Sequence, residues 1–220
     1  EALARWDHPD DGLLEAGHFI PMAEECGVIA QLGAQVLRRA CAALGRWRAT
    51  GLPDDFVLRV NLSAHQLRQP DLVEVVIDAL ADAGVPARCL CLELTESALL
   101  VDPGRAVDVL GRLRAAGVGL AVDDFGTGFS SLVYLKRLPL TALKIDRSFV
   151  AGLPDDASDA AIVAAVISLA NSLGVDITAE GVETAEQQGA LVDLGCHRAQ
   201  GFLLSRPEPE AAFAERLTRA

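Results

Sequence analysis

What this sequence lacks is any clustering of ligand atoms for soft metals. Its five cysteines (Cys26, Cys41, Cys89, Cys91 and Cys196) include no CxxC pair and its four histidines are scattered, so a zinc site is not expected. The cysteine number is odd, and Cys89 and Cys91, two apart in a strand-like run, point to the same face. Buried, reduced thiols of a cytoplasmic protein are expected. Basic blocks are missing as well. Net charge is -12 with no run of lysine or arginine, which removes the electrostatic footprint of a general DNA or RNA binder. No aromatic stripe offers a stacking platform for bases, and Trp6 and Trp47 read as core residues. No stretch of roughly 18 apolar residues occurs, and no basic start precedes an apolar core, so neither a membrane segment nor a signal peptide is expected. Linkers and low-complexity segments are absent too, which favours a single domain over residues 1–220.

What the sequence does have is alternation. At 220 residues and 51% hydrophobic it can bury one substantial core. Helical periodicity is clear in GAQVLRRACAALGRWRA, DLVEVVIDALADA, GRAVDVLGRLRAA, DAAIVAAVISLANSL and AEQQGALVDL, with apolar residues three or four apart. Glycines 51, 84, 117, 174 and 195 supply the usual C-terminal stops. Between these segments lie the aliphatic runs EALARW, FVLRVNL, CLCLEL, VGLAV, TALKI, VDITAE and AQGFLL. Continuous apolar strands suit a parallel sheet covered on both faces, and strand–helix alternation predicts an α/β fold of the TIM-like (β/α) barrel type. A full barrel takes about 250 residues and eight strands. Seven strands are expected here, with an N-terminal strand and helix missing, as if the chain began inside the domain.

Polar residues fall where such a barrel would use them. Asn61, Glu93, Glu96, Asp123, Asp124, Lys144, Asp146, Glu180, Glu183 and Gln200 all sit at or near the carboxyl ends of the apolar runs. A barrel gathers those ends on one face, where active sites are built. Two carboxylates ~4 Å apart repel by about 4 kcal/mol at an effective dielectric near 20, so several together require cations or protons. Oxygen donors without converging histidine or cysteine select hard cations such as Mg²⁺ or Mn²⁺. A single one of these acids also admits a plainer reading as a helix cap or surface ion pair, and Lys144 one as a partner of Asp146 or another acid. The full set at successive strand ends does not.

Local matches to other chemistries are weak. Asp124-Phe125-Gly126 has no kinase catalytic loop beside it. Gly126-Thr127-Gly128 lacks the third glycine of a dinucleotide fingerprint. Asn61-Leu62-Ser63 fits a glycosylation sequon but closes a buried strand. His65 and His197 read as packing or surface residues.

The chain resembles the EAL domain, the bacterial phosphodiesterase family of cyclic di-GMP. The motifs run in family order: EALARW from Glu1, FIPMAEE (19–25), VNLSAHQL (60–67), LELTES (92–97), AVDDFGTGFSSL (121–132), LKIDRSFV (143–150), TAEGVET (178–184) and QGFLLSRP (200–207). The resemblance implies metal-dependent hydrolysis of cyclic di-GMP to linear pGpG with two Mg²⁺ or Mn²⁺ ions. Glu1, Asn61, Glu93 and Asp123 would bind one ion, and Asp123 with Asp124 would hold or bridge to the second. Glu180 would be a metal-site carboxylate or the base that activates water. Lys144 would orient that water and stabilise charge on the phosphate. Arg5 would clamp a phosphate oxygen and Gln200 would line the site. Glu96 would anchor the loop 125–131, with Glu183 and Asp146 behind the ligands. A homodimer through that loop region and coupling to sensory or GGDEF domains are also implied, in the cytoplasm or as the cytoplasmic part of a larger, membrane-anchored protein. The other reading is a cyclic di-GMP receptor that binds without cutting and acts through a partner domain. Retention of every metal ligand, Glu96, Lys144 and Gln200 favours catalysis.

Overall fold

In a computed structural model of the chain, residues 1–128 and 132–217 are described, Leu132 by its backbone alone. They group into two compact units. The first comprises 1–93, 104–119 and the residues from 208 on, and the second comprises 94–103 and 120–207.

In the first unit an antiparallel hairpin joins strand β1 (Arg5–His8) to β2 (Gly12–Glu15), Arg5 opposite Glu15. Strand β3 (Leu58–Asn61) pairs in parallel with β4 (Leu90–Thr95), in a register that sets Asn61 beside Glu93. Helices Ile29–Ala49 and Leu72–Asp82 cover this layer. Their buried residues recur at helical spacing, as in Leu37, Ala40, Cys41 and Leu44 facing Val73, Val76 and Leu80. The first helix comes close to the end of the second at Gly45, where an added Cβ would lie 2.5 Å from the Ala83 carbonyl oxygen. Gly45→Ala is expected to destabilise the protein by about 1–3 kcal/mol despite alanine's better helix propensity, because overpacking outweighs it. Urea unfolding checks this, and an unchanged midpoint would count against the close packing.

In the second unit β5 (Gly119–Phe125), β6 (Ala142–Ile145) and β7 (Asp176–Ala179) pair in parallel, in that order. The helix Ala157–Leu173 carries the chain from β6 towards β7. It starts on Asp156, whose carboxylate accepts the Ser158 and Asp159 N–H groups, and stops at Gly174, where φ is +69°. The other four glycines expected as stops also have positive φ. Ala142 to Ile145 are all buried, as an inner parallel strand requires.

All five expected helices and five of the seven expected strands are present, in the α/β class. The first and last strands differ. Ala2 makes only an isolated parallel bridge to Val60, and Ala199 only one to Ala179. Arg5 and Trp6, expected to close the first strand, instead open the hairpin strand Arg5–His8, which turns back through residues 9–11 to Gly12. Asp11-Gly12, with Gly12 at φ +72°, is a sequence signal for such a hairpin. The turn leaves Trp6 at 39% exposure, packed edge-on against His8 and Phe19 rather than in the core. Cys26, expected to be buried, is exposed, while the other four thiols are free and buried. Burial pushes the Cys41 thiol up to about 11, so it stays protonated and inert.

Candidate active site

The chemistry of the second unit concentrates at the carboxyl ends of its strands. β5 loses register with β6 between Val122 and Phe125, and this irregularity carries Asp123 and Asp124. Asp124 has φ +53°, the sole positive value at a non-glycine among the described residues. Left-handed backbone costs an ordinary side chain roughly 1–2 kcal/mol, less for Asp or Asn. Such conformations collect at functional sites. The Asp124 N–H donates to Asp123 Oδ1 at 3.0 Å, which turns the first carboxylate back over the second residue's backbone.

Lys144, on β6, is 1% exposed. An ammonium that deep needs anionic partners. Its Nζ lies 3.2 Å from Asp123 Oδ1 and 2.5 Å from Glu180 Oε1. Sequence alone left Asp146 or another acid as a candidate partner, and Asp123 and Glu180 are such acids. Glu180 immediately follows β7, and its N–H donates to the Ile145 carbonyl at 3.1 Å. Oxygens of Asp123, Asp124 and Glu180 all lie within 4.8 Å of one another.

One lysine does not neutralise these acids. Burial first, then the Asp123 charge and the neighbouring Asp146, push the Asp124 carboxyl up to about 6 against the pull of Lys144. Asp146 goes the other way. Burial opposes its ionisation, but hydrogen bonds from the Ser148 hydroxyl and N–H, the Asp124 carboxyl and the Arg147 N–H outweigh it and lower its pKa. Asp146 also caps the helix Arg147–Ala151 through the Ser148 N–H, at 3.0 Å.

This asymmetry has a pH signature in metal-free protein. Between an ordinary value of 3.8 and about 6, folded Asp124 keeps a proton that the unfolded chain has released. Its contribution to stability therefore falls as pH rises through that interval and stays low above it. Asp124→Asn, which suits the left-handed backbone, is expected to match the parent protein near about pH 4 and to exceed its stability near about pH 7.5. Denaturant unfolding with chelator at both pH values checks this, and a gap independent of pH would contradict it.

Glu96 is 3% exposed, and its Oε2 accepts N–H groups of Gly126 at 3.4 Å and Gly128 at 3.3 Å. It holds the turn directly after the two aspartates. A Cβ on Gly128 would lie 2.7 Å from Glu96 Oε1, so glycine is required there for the carboxylate to fit. A cavity of about 310 Å³ adjoins it, lined by Thr95, Glu96, Ser97, Leu100, Asp124, Thr127 and Gly128. The rest of the expected loop, residues 129–131, lies outside the described residues.

Gln200 is fixed by its backbone: its N–H donates to the Ala179 carbonyl at 2.8 Å, and its carbonyl accepts the Val182 N–H at 3.1 Å. It thereby braces the turn containing Glu180. Glu183 is exposed, with its N–H held by the side chain of Gln187 at 2.8 Å.

The first unit carries the remaining residues. Asn61 Nδ2 donates to Glu1 Oε1 at 2.7 Å at the end of β3. Glu93, on β4, has a side chain with 0% exposure, and Arg59 Nη1 donates to its Oε1 at 3.2 Å. Arg59 escaped the sequence reading, although a charged residue inside the apolar run FVLRVNL, two positions before Asn61, is a usable signal. Arg5, on β1, faces Glu15 at 3.5 Å and donates to the Ala4 carbonyl at 3.0 Å.

Comparison with known proteins gives this geometry a family. The family model described as EAL domain matches residues 1–207. The chain is 48% identical over 209 residues to MucR of Pseudomonas aeruginosa, a bifunctional diguanylate cyclase/cyclic di-GMP phosphodiesterase, covering 95% of this chain and 30% of MucR. It is 46% identical to the cyclic di-GMP phosphodiesterase NbdA of the same organism, covering 98% of this chain and 27% of NbdA. The chain thus spans less than a third of the length of these curated relatives. Among solved structures, a PaMucR phosphodiesterase in complex with c-di-GMP superposes with a TM-score of 0.91 at 47% identity, over 95% of this chain and 84% of that one. The fold is accordingly the TIM-like barrel expected from the strand–helix alternation. With its signature at Glu1, its paired aspartates in β5 and its buried lysine on β6, the chain belongs to the EAL domain family.

Proposed function

We propose that this chain, read as one EAL domain, hydrolyses one phosphodiester link of cyclic di-GMP to give linear pGpG. The observation that carries this reading is the buried Lys144 ammonium, held between Asp123 and Glu180 with Asp124 alongside, in a chain of this family. Three converging carboxylates, one of them driven towards protonation by its surroundings, are a donor set that fits hard divalent cations. Asp123 and Asp124 are the proposed ligands in the second unit, and Glu1, Asn61 and Glu93 those in the first. Two ions, Mg²⁺ or Mn²⁺, would lower the pKa of a bound water and stabilise the attacking and leaving oxygens.

The protein's own groups divide the remaining work. Glu180 accepts the proton of the attacking water, whose oxygen bonds to phosphorus as the bond from phosphorus to the 3′ oxygen breaks. Lys144, whose donors already point at Glu180 and Asp123, orients that water and offsets charge on the phosphoryl oxygens. Arg5 has the planar fork to clamp a phosphate oxygen. Gln200 lines the site, Glu96 holds the turn after the aspartates, and Asp146 and Glu183 support the ligands.

MucR's combination of cyclase and phosphodiesterase supports coupling of this domain to a sensory or GGDEF module. A homodimer and a cytoplasmic location accompany the substrate proposed. No helix among the described residues is long and apolar enough to cross a membrane. The test is incubation with cyclic di-GMP and Mg²⁺ or Mn²⁺, with and without EDTA, resolving products by chromatography with mass detection. Metal-dependent pGpG is the expected result; bound but uncut ligand would make the chain a receptor.

A further inference from the structure

We infer that Arg59 is a positioning residue for the metal site, acting through Glu93. The inference rests on the reading of Glu93 as a metal ligand. Glu93 is set deep: its side chain has 0% exposure, on a strand whose neighbours Leu92 and Leu94 are each 1% exposed. A carboxylate there is costly to keep ionised unless a cation or hydrogen-bond donors compensate it. Arg59 supplies both a charge and an N–H. The parallel register places Arg59 beside Cys91 and Asn61 beside Glu93, so the alternation of side chains puts Arg59 and Asn61 on one face of β3 and Cys91 and Glu93 on the same face of β4. From one step further back along the strand, Arg59 reaches forward to Glu93 Oε1 at 3.2 Å, with Nη1 also 3.9 Å from Cys91 Sγ.

The Arg59 side chain keeps 19% exposure. It can therefore hold its own charge cheaply while neutralising a neighbour that sees no solvent. Partners that orient a metal-ligating group typically alter metal affinity 10- to 100-fold when removed. Lysine could replace the charge but not the planar geometry, because its ammonium is a point donor on a flexible stem.

The test uses the full chain and Mn²⁺ alone, with free ion followed by its electron paramagnetic resonance signal, and metal-free unfolding measured alongside. Glu93→Gln, Arg59→Met, Arg59→Lys and the double variant Arg59→Met/Glu93→Gln are compared. Arg59→Met is expected to weaken Mn²⁺ binding about 10- to 100-fold, with Arg59→Lys intermediate. In the Glu93→Gln background the Arg59 change should add little, since its route to the metal is already gone. A merely structural role would give the same added loss in either background. Wild-type affinity or tighter binding in Arg59→Met, with Glu93→Gln weakened, would overturn the assignment of Arg59 alone. Unchanged affinity in Glu93→Gln would instead overturn the reading of Glu93 as a ligand, and the inference with it. Should Arg59→Met fail to fold, Arg59→Lys with and without Glu93→Gln gives the same comparison.

Discussion

Glu180→Gln is expected to lower turnover of cyclic di-GMP by about 10²- to 10⁴-fold while leaving ligand affinity within a few-fold of the parent protein. The substitution preserves side-chain volume and the hydrogen bond that Glu180 Oε1 accepts from Lys144, 2.5 Å away. It removes the ability to take a proton. Loss of rate with retained binding is the pattern of a group whose interaction matters only in the transition state. Fluorescence or calorimetric titration with cyclic di-GMP, beside single-turnover rates, separates the two quantities. Turnover near that of the parent protein would show that Glu180 is not the base. Weakened binding with unchanged turnover would assign it to holding the ligand.

Lys144→Met is expected to act on stability and catalysis together. Methionine fills most of the buried volume of lysine without its charge. Asp123 and Glu180, at 13% and 17% exposure, would then face each other and Asp124 without the ammonium between them. Removing one partner of a buried ion pair costs about 3–5 kcal/mol, largely because the other charge stays behind. Metal-free unfolding should record a loss of that size, and saturating Mn²⁺ should return part of it by binding only the folded state. Turnover should remain about 10²- to 10³-fold lower even at saturating metal, since the donor aimed at the reacting groups is gone. Full activity at saturating metal would reduce Lys144 to a counter-ion for the metal-free protein.

How much of this was legible in the residues depends on how local each signal is. Strands β3 to β7 read clearly because a parallel strand covered on both faces is a continuous aliphatic run. Asn61, Glu93, Asp123, Lys144 and Glu180 then stood out as polar groups ending such runs. The first and last runs looked alike, yet Ala2 and Ala199 each make a single bridge. Apolar content does not reveal how many backbone partners a segment will find. Asp11-Gly12 is a turn signal that lies beyond the run EALARW, outside the strands expected. Non-local features were out of reach. That Lys144 would meet Asp123 and Glu180 depends on a register shift in β5 and on where β7 ends. The left-handed backbone at Asp124 has only a weak signature in residue type, since glycine normally marks it and aspartate merely tolerates it. Arg59 gained a role only once the register brought Glu93 within its reach.

The most direct test of hydrolysis by an activated water is a single turnover with Mn²⁺ in heavy-oxygen water, followed by mass analysis of the product. The expected result is pGpG carrying one heavy oxygen on its terminal phosphate and none elsewhere, abolished by EDTA. Ligand recovered intact after saturating incubation, or pGpG formed without label in that phosphate, would contradict attack by water at phosphorus in this site.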